Sequence, residues 1–168
     1  MRKRFLIIAM VVGLVMLFAA GGIYAGKDVK DEIPMQNNAY EKHTKSIHAF
    51  THKKHATEFA QKNPDIFPNG CGACHHDKEN KPLKNLKMGD DVQNCIECHK
   101  KPGYVSGKDA KEKGLDEKQE REYHANALHE NCQGCHKKYN DKKGLKSKDK
   151  GFAPTKSKCK ACHTKDND

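Results

Sequence analysis

The sequence predicts a mostly irregular fold with short α-helices and little β structure. Among residues 26–168 only 16 are Leu, Ile, Val or Phe. That share, about 11%, is below the level at which a charged chain builds its own apolar core. The five-residue pattern Cys-x-x-Cys-His occurs four times and uses all eight cysteines. We therefore expect the interior of the molecule to be supplied by bound groups rather than by side chains.

The repeated pattern is the attachment signal for c-type haem. Residues i, i+3 and i+4 share one face of a helical turn, so both thiols reach one porphyrin while the histidine lies under its iron. The sequence thus predicts a multihaem cytochrome c fold wrapped around four covalently attached haem c groups. The predicted attachment residues are Cys71, Cys74, Cys95, Cys98, Cys132, Cys135, Cys159 and Cys162, and the predicted iron ligands of the motifs are His75, His99, His136 and His163.

The N-terminus has the order of an export signal. Arg2, Lys3 and Arg4 precede an apolar stretch from Phe5 to Ala20, and small residues continue to Ala25. We predict a signal peptide at residues 1–25; the alternative is an uncleaved membrane anchor, because Phe5 to Tyr24 has about the 20 residues that a membrane span needs. A polar extension at 26–45 and a tetrahaem domain at 46–168 would follow, located in the periplasm.

The remaining segments are mainly polar. The extension at 26–45 is expected to be an extended or mobile lead-in, and 63–70 is a turn-rich loop. The strongest helix prediction covers 116–131, with Asp116 as the cap and Gln119 three residues later. Between 137 and 160 ten lysines face only two aspartates, which indicates a solvated loop, a docking surface for an acidic redox partner, or both.

The sixth ligand of each iron decides between an electron carrier and a catalyst. After residue 25 the only methionines are Met35 and Met88, too few for four irons. Seven histidines lie outside the motif positions, which favours bis-histidine ligation, low potentials and no vacant site for a substrate. These histidines are His43, His48, His52, His55, His76, His124 and His129.

The sequence resembles the class III tetrahaem cytochromes c of anaerobic bacteria. The resemblance rests on Phe50-Thr51-His52-Lys-Lys-His55 and on His76 directly after the first motif, and it covers about 46–168. It implies that His52 ligates haem 1, His55 haem 3 and His76 haem 2. For haem 4 it leaves His129, three residues before Cys132, and His124, and we prefer His129. On one helix these two side chains would point about 140° apart.

The resemblance also implies a function in anaerobic respiration. Such a protein is a periplasmic electron carrier, not an enzyme, between a hydrogenase or formate dehydrogenase and a membrane-bound redox complex. Many members of the family use a longer cysteine spacing at the second and fourth haems, whereas all four motifs here are Cys-x-x-Cys-His.

Three other functions agree less well with the sequence. A terminal reductase of metal ions or small oxyanions would need an open iron site, against which the spare histidines speak. Zinc binding would pair the motifs as half-sites, but the export signal and the extra histidines oppose it. Nucleic-acid binding, suggested by a net charge of +10, is excluded by the predicted location and by the negative charge that haem propionates add.

Overall fold

The computed structural model describes residues 29–163, so the predicted signal peptide at 1–25 lies outside the described residues. The chain is mostly irregular, with several helices and one small two-stranded sheet, which confirms the coarse fold class. One helix of 20 residues exceeds the short helices that the sequence predicts. In this part of the chain no helix is long and apolar enough to span a bilayer.

The N-terminal extension is tied to the start of the domain. Strand β1 (Ile33–Pro34) pairs antiparallel with β2 (Ala49–Phe50), with Ile33 opposite Phe50. The backbone N–H of Met35 also donates to the carbonyl of His48 at 2.8 Å. A two-stranded sheet tolerates proline because each strand is an edge. The lead-in is therefore extended at Ile33–Pro34, and these hydrogen bonds anchor it there.

A continuous helical stretch follows β2. It comprises α1 (His52–Lys54), a π-helical segment (His55–Phe59) and α2 (Ala60–Lys62). A loop then leads to a 3₁₀ turn at Gly70–Ala73 and, after a long connector, to α3 (Cys95–Cys98) and α4 (Gly107–Glu112). α1 and the π-helical segment contain His52 and His55, and the Gly70–Ala73 turn and α3 contain cysteines of the first two motifs, so these four elements present predicted ligands and attachment residues.

The predicted helix at 116–131 is wrong in its extent. The cap is confirmed, since Asp116 and Gln119 form a reciprocal capping box, but α5 ends at Arg121 (Glu117–Arg121). The chain breaks because Tyr123 forms a parallel bridge with Lys101. A second helix, called the long helix below, then runs over His124–Lys143 and contains the third motif.

The long helix ends at Gly144, whose φ of 64° is the left-handed conformation that glycine adopts easily. The N–H of Leu145 closes the end by donating to the carbonyl of Asn140 at 2.9 Å. The lysine-rich segment 137–160 is thus partly helical rather than a continuous loop. A last 3₁₀ segment, Lys156–Ala161, has a kink at Lys158 and contains the first three residues of the fourth motif.

The polypeptide has almost no apolar core of its own. Among the described residues, the buried apolar side chains are Val105 (2% exposed) and Ala110 (1% exposed). Three polar residues are also buried: Asn63, His124 and Asn140. This composition of the interior agrees with the expectation that bound groups supply the missing apolar area.

Candidate metal centres

The first motif is held by close backbone packing. Its glycine, Gly72, is buried, and a Cβ placed there would lie 2.7 Å from the carbonyl oxygen of Leu83. The N–H of Leu83 donates to the carbonyl of His75 at 3.0 Å, and His76 bridges to Pro82. The connector after the motif therefore fixes the backbone on both sides of the two adjacent histidines.

The second motif begins a helical turn with its own cap. Asn94 and Glu97 form a reciprocal capping box around Cys95–Cys98. The imidazole Nδ1 of His99 lies 2.5 Å from the carbonyl oxygen of Arg121. Arg121 is itself held by ion pairs from its side chain to Glu117 and Glu130. The capping pattern Asn-x-x-Glu of this turn is readable in the sequence.

The third and fourth motifs lie on different kinds of helix. The third lies within the long helix, where Nδ1 of His136 is 2.6 Å from the carbonyl oxygen of Pro154. The fourth begins within the 3₁₀ segment, at Cys159, and Nδ1 of His163 is 3.1 Å from the carbonyl oxygen of Ser46. Three of the four motif histidines thus hydrogen-bond a carbonyl far away in sequence.

Each motif histidine is matched by a second imidazole. The ring centroids are 6.2 Å apart for His52 and His75, 6.0 Å for His76 and His99, 6.4 Å for His55 and His136, and 6.0 Å for His129 and His163. With metal–nitrogen bonds of about 2.0–2.1 Å and each ring centre about 1.1 Å behind its nitrogen, two imidazoles across one ion would be about 6.3 Å apart. The four separations fit an iron between each pair.

These are the same pairs that the resemblance implies, and His129 rather than His124 faces the fourth motif. His124 points elsewhere on the long helix: its Nδ1 lies 2.9 Å from the hydroxyl oxygen of Tyr40. Tyr40 in turn stacks on His43, with ring centroids 5.0 Å apart. The five-residue separation on one helix keeps the two histidines on different faces.

Hydrogen bonds at Nδ1 of the paired imidazoles leave Nε2, the other ring nitrogen, free for a metal. The Nδ1 atoms of His55 and His76 lie 2.8 and 2.7 Å from the carbonyl oxygens of Thr51 and Asp77. With the three motif histidines, five of the eight paired imidazoles have this contact. Such bonds fix the tautomer with Nε2 unprotonated and orient the ring, as they do around metal ions generally. The chain is thus prepared to present Nε2 in each of these rings.

Burial favours the neutral imidazole that metal binding needs. It lowers the pKa of His55, His75 and His129 below the usual value for histidine. One further atom points to a missing partner: Nδ1 of His52 is buried and has no hydrogen-bond partner among the described residues. A haem bound beside His52 would add acceptors through its propionates, so this orphaned atom also fits the group.

The thiols are not arranged as zinc ligands. Burial raises the pKa of Cys74 and of Cys132 to about 11, and a zinc ion would have to displace both protons to bind them as thiolates. Within residues 29–163 no cluster of three or more His, Cys, Asp or Glu side chains could hold a metal. Pairs of imidazoles suffice for a haem iron, since the porphyrin supplies the other four nitrogens. The donor set fits haem.

Comparison with known proteins agrees with this geometry. The model of the class III cytochrome C family matches residues 27–163. No curated protein and no solved structure matches the chain. The matched range begins in the polar N-terminal extension and includes all four motifs and all four imidazole pairs.

Proposed function

The chain belongs to the class III cytochrome c family, and on this premise we propose that it is a periplasmic electron carrier with four low-potential, bis-histidine haems. Family membership implies multihaem electron transfer and covalently bound haem c, and members are generally not enzymes. When bound, each haem supplies an iron that takes up and releases one electron. The chain supplies two thiols for each attachment and an imidazole for each face of the ring.

The four imidazole pairs are the observation that carries this proposal. In our assignment His52 and His75 hold haem 1, His76 and His99 haem 2, His55 and His136 haem 3, and His129 and His163 haem 4. If both faces of an iron are filled by nitrogen, no coordination position remains for a substrate. Two imidazoles also lack the potential-raising effect of a methionine ligand. This arrangement supports a low-potential carrier rather than a catalyst.

The sequence positions of the ligands support a relay. His75 and His76 are neighbours in the chain but belong to the first and second pairs. His52 and His55 lie one helical turn apart and belong to the first and third pairs. The third and fourth pairs share the long helix through His136 and His129. The first centre is therefore linked to the second and to the third, and the third to the fourth, by a few residues of backbone, which keeps the linked groups close together.

We assign partner docking to the lysine-rich segment 137–160. Within the described residues two of its lysines form ion pairs, Lys137 with Asp141 and Lys142 with Asp65. Lys156 lies near enough to His129 to lower its pKa further, although burial is the larger cause. The segment thus places positive charge beside the fourth pair, where it would steer an acidic partner. From the family resemblance we propose a hydrogenase or formate dehydrogenase as the electron donor and a membrane-bound redox complex as the electron acceptor.

The periplasmic location depends on the export signal predicted at residues 1–25. Attachment of c-type haem outside the cytoplasm requires such a signal or an N-terminal anchor. Either form would leave residues 29–163 on the outer side of the inner membrane, beside the proposed partners. Mass spectrometry of the protein purified from its host would show which form is present.

The test is exposure of the reduced, purified protein to carbon monoxide, followed by visible spectroscopy. The proposal expects a red protein with low-spin haem bands that carbon monoxide leaves unchanged, because each iron already has two nitrogen ligands. A colourless protein would contradict haem binding. A spectrum that shifts with carbon monoxide would show an open iron and support the alternative function, a terminal reductase of metal ions or small oxyanions.

A further inference from the structure

Asn140 is a buried polar residue with an unusual position in this polar protein. It lies in the last turn of the long helix and is 3% exposed. Its side-chain amide makes two hydrogen bonds to one residue of the returning chain: Nδ2 donates to the carbonyl of Ala153 at 2.8 Å, and the N–H of Ala153 donates to Oδ1 at 2.9 Å. These two hydrogen bonds replace the pairing that a neighbouring strand would give, and they fix the backbone at Ala153.

Pro154, the residue after Ala153, contacts the proposed iron ligand His136. The carbonyl oxygen of Pro154 lies 2.6 Å from Nδ1 of His136. Asn140 and His136 are four residues apart, so they lie on the same face of the long helix. The helix therefore holds the imidazole directly and holds its carbonyl acceptor through Asn140.

We propose that Asn140 is a positioning residue that lowers the reduction potential of the haem held by His55 and His136; this inference rests on the proposed function. A strong hydrogen bond from Nδ1 makes an imidazole a better donor to its metal. A better donor stabilises ferric iron relative to ferrous iron and lowers the potential. Asn140 acts on the iron only through Ala153, Pro154 and the ring of His136.

The long helix offers a matched control. Asn126 makes the same double hydrogen bond to Val105, with both distances 2.9 Å. In the described chain, no carbonyl of residues 104–106 accepts from a ligand imidazole. Asn140→Leu and Asn126→Leu each remove two hydrogen bonds and keep roughly the same side-chain volume. Both should lower the midpoint of urea unfolding, and only the first should alter the haem bound by His136.

The experiment is an NMR redox titration of the full-length haem protein, following the haem methyl signals of each centre. In Asn140→Leu the oxidised-to-reduced equilibrium of the His55–His136 haem should move toward the reduced form by up to about tenfold, which equals about 59 mV for one electron. Asn126→Leu should leave that haem unchanged. In the same spectra, the Nδ1–H of His136 should exchange with solvent faster in Asn140→Leu than in the wild type.

Three results would overturn the inference. If Asn140→Leu leaves the potential of that haem unchanged, or if both variants shift it equally, Asn140 has only a structural role. If the wild type carries no haem between His55 and His136, both the inference and the proposed ligation fail. If the wild type has four low-spin haems and Asn140→Leu leaves the potential of the His55–His136 haem unchanged, only the inference fails and the proposed function stands.

Discussion

His129 and His124 have different roles although both lie in the first turns of the long helix. The ring of His129 lies 6.0 Å from that of His163, the separation expected across an iron. The ring of His124 is buried beside the hydroxyl group of Tyr40. We therefore treat His129 as a ligand and His124 as part of the packing between the N-terminal extension and the long helix.

Replacing each of these histidines by alanine tests that distinction. In His129→Ala the fourth haem should lose one axial ligand, and the reduced protein should bind carbon monoxide at one haem. In His124→Ala all haems should stay six-coordinate, and carbon monoxide should leave the spectrum unchanged. The measurement is a carbon monoxide difference spectrum of each variant. Binding by His124→Ala and not by His129→Ala would reverse the assignment.

His124 should also give the stability a pH dependence. Burial lowers the pKa of His124, with a smaller contribution from His99. The unfolded chain then binds a proton at the ordinary histidine pKa of about 6.5, while the folded protein does not. Stability should therefore fall as pH drops below about 6.5 and level off below the folded pKa. In His124→Phe, urea unfolding midpoints between pH 7 and pH 5 should decline less steeply; an unchanged slope would contradict this.

At the residue scale the sequence predicts the histidines but not their acceptors. His52, His55 and His76 can be paired with motifs because the pattern around them resembles a family. The carbonyl partners at Arg121, Pro154 and Ser46 lie 22, 18 and 117 residues from their imidazoles. Every residue has a carbonyl, so nothing in the sequence marks the one that will accept. These contacts follow from the path of the chain and require the structure.

The 3₁₀ turn of the first motif depends on the close approach of two backbones. At Gly72 any side chain would meet the backbone of Leu83, with the nearest distance 2.7 Å. Gly134, in the corresponding stretch of the third motif, has open space around the position of a Cβ. The two glycines therefore have different reasons to be there, although both lie between the cysteines of a motif.

Substituting alanine at both glycines separates these reasons. Gly72→Ala should destabilise the protein by about 1–3 kcal/mol, because the connector at Leu83 must move away. Gly134→Ala should stabilise the long helix by about 0.5–1 kcal/mol, because alanine loses less backbone entropy. Urea unfolding of the haem-loaded proteins measures both changes. A Gly72→Ala variant as stable as the wild type would show that the contact with Leu83 is loose.

The sequence locates the helices better than it locates their ends. The capping pattern at Asp116 and Gln119 correctly predicts the start of α5. The break after Arg121 arises because Lys101, over twenty residues earlier, takes the hydrogen bonds of Glu122 and His124. Local propensity contains no information on such a contact. The same limit applies to β1 within the extension, whose partner strand is known only from the fold.

The part of the molecule that the structure describes buries very little apolar side-chain area, so we expect the bare chain to be unstable. Val105 and Ala110 are the buried apolar side chains in the described part of the chain. Haem would supply the rest, so attachment and folding should be one event, as for structural metals. Composition alone predicts this dependence, since it follows from the count of large apolar residues and of haem motifs.

The bare chain should therefore lack a cooperative fold. Residues 26–168 produced in the cytoplasm without export would carry no haem. Far-UV circular dichroism should then show little helix and no cooperative thermal transition, whereas the haem-loaded protein should unfold cooperatively. A sharp transition in the haem-free chain would mean that side chains alone form a sufficient core.

A crystal structure of the haem-loaded protein tests the central claim most directly. The account predicts four covalently attached haems whose irons lie between His52 and His75, His76 and His99, His55 and His136, and His129 and His163. It would be contradicted by an iron with one open face, or by an iron ligated by any other combination of these imidazoles.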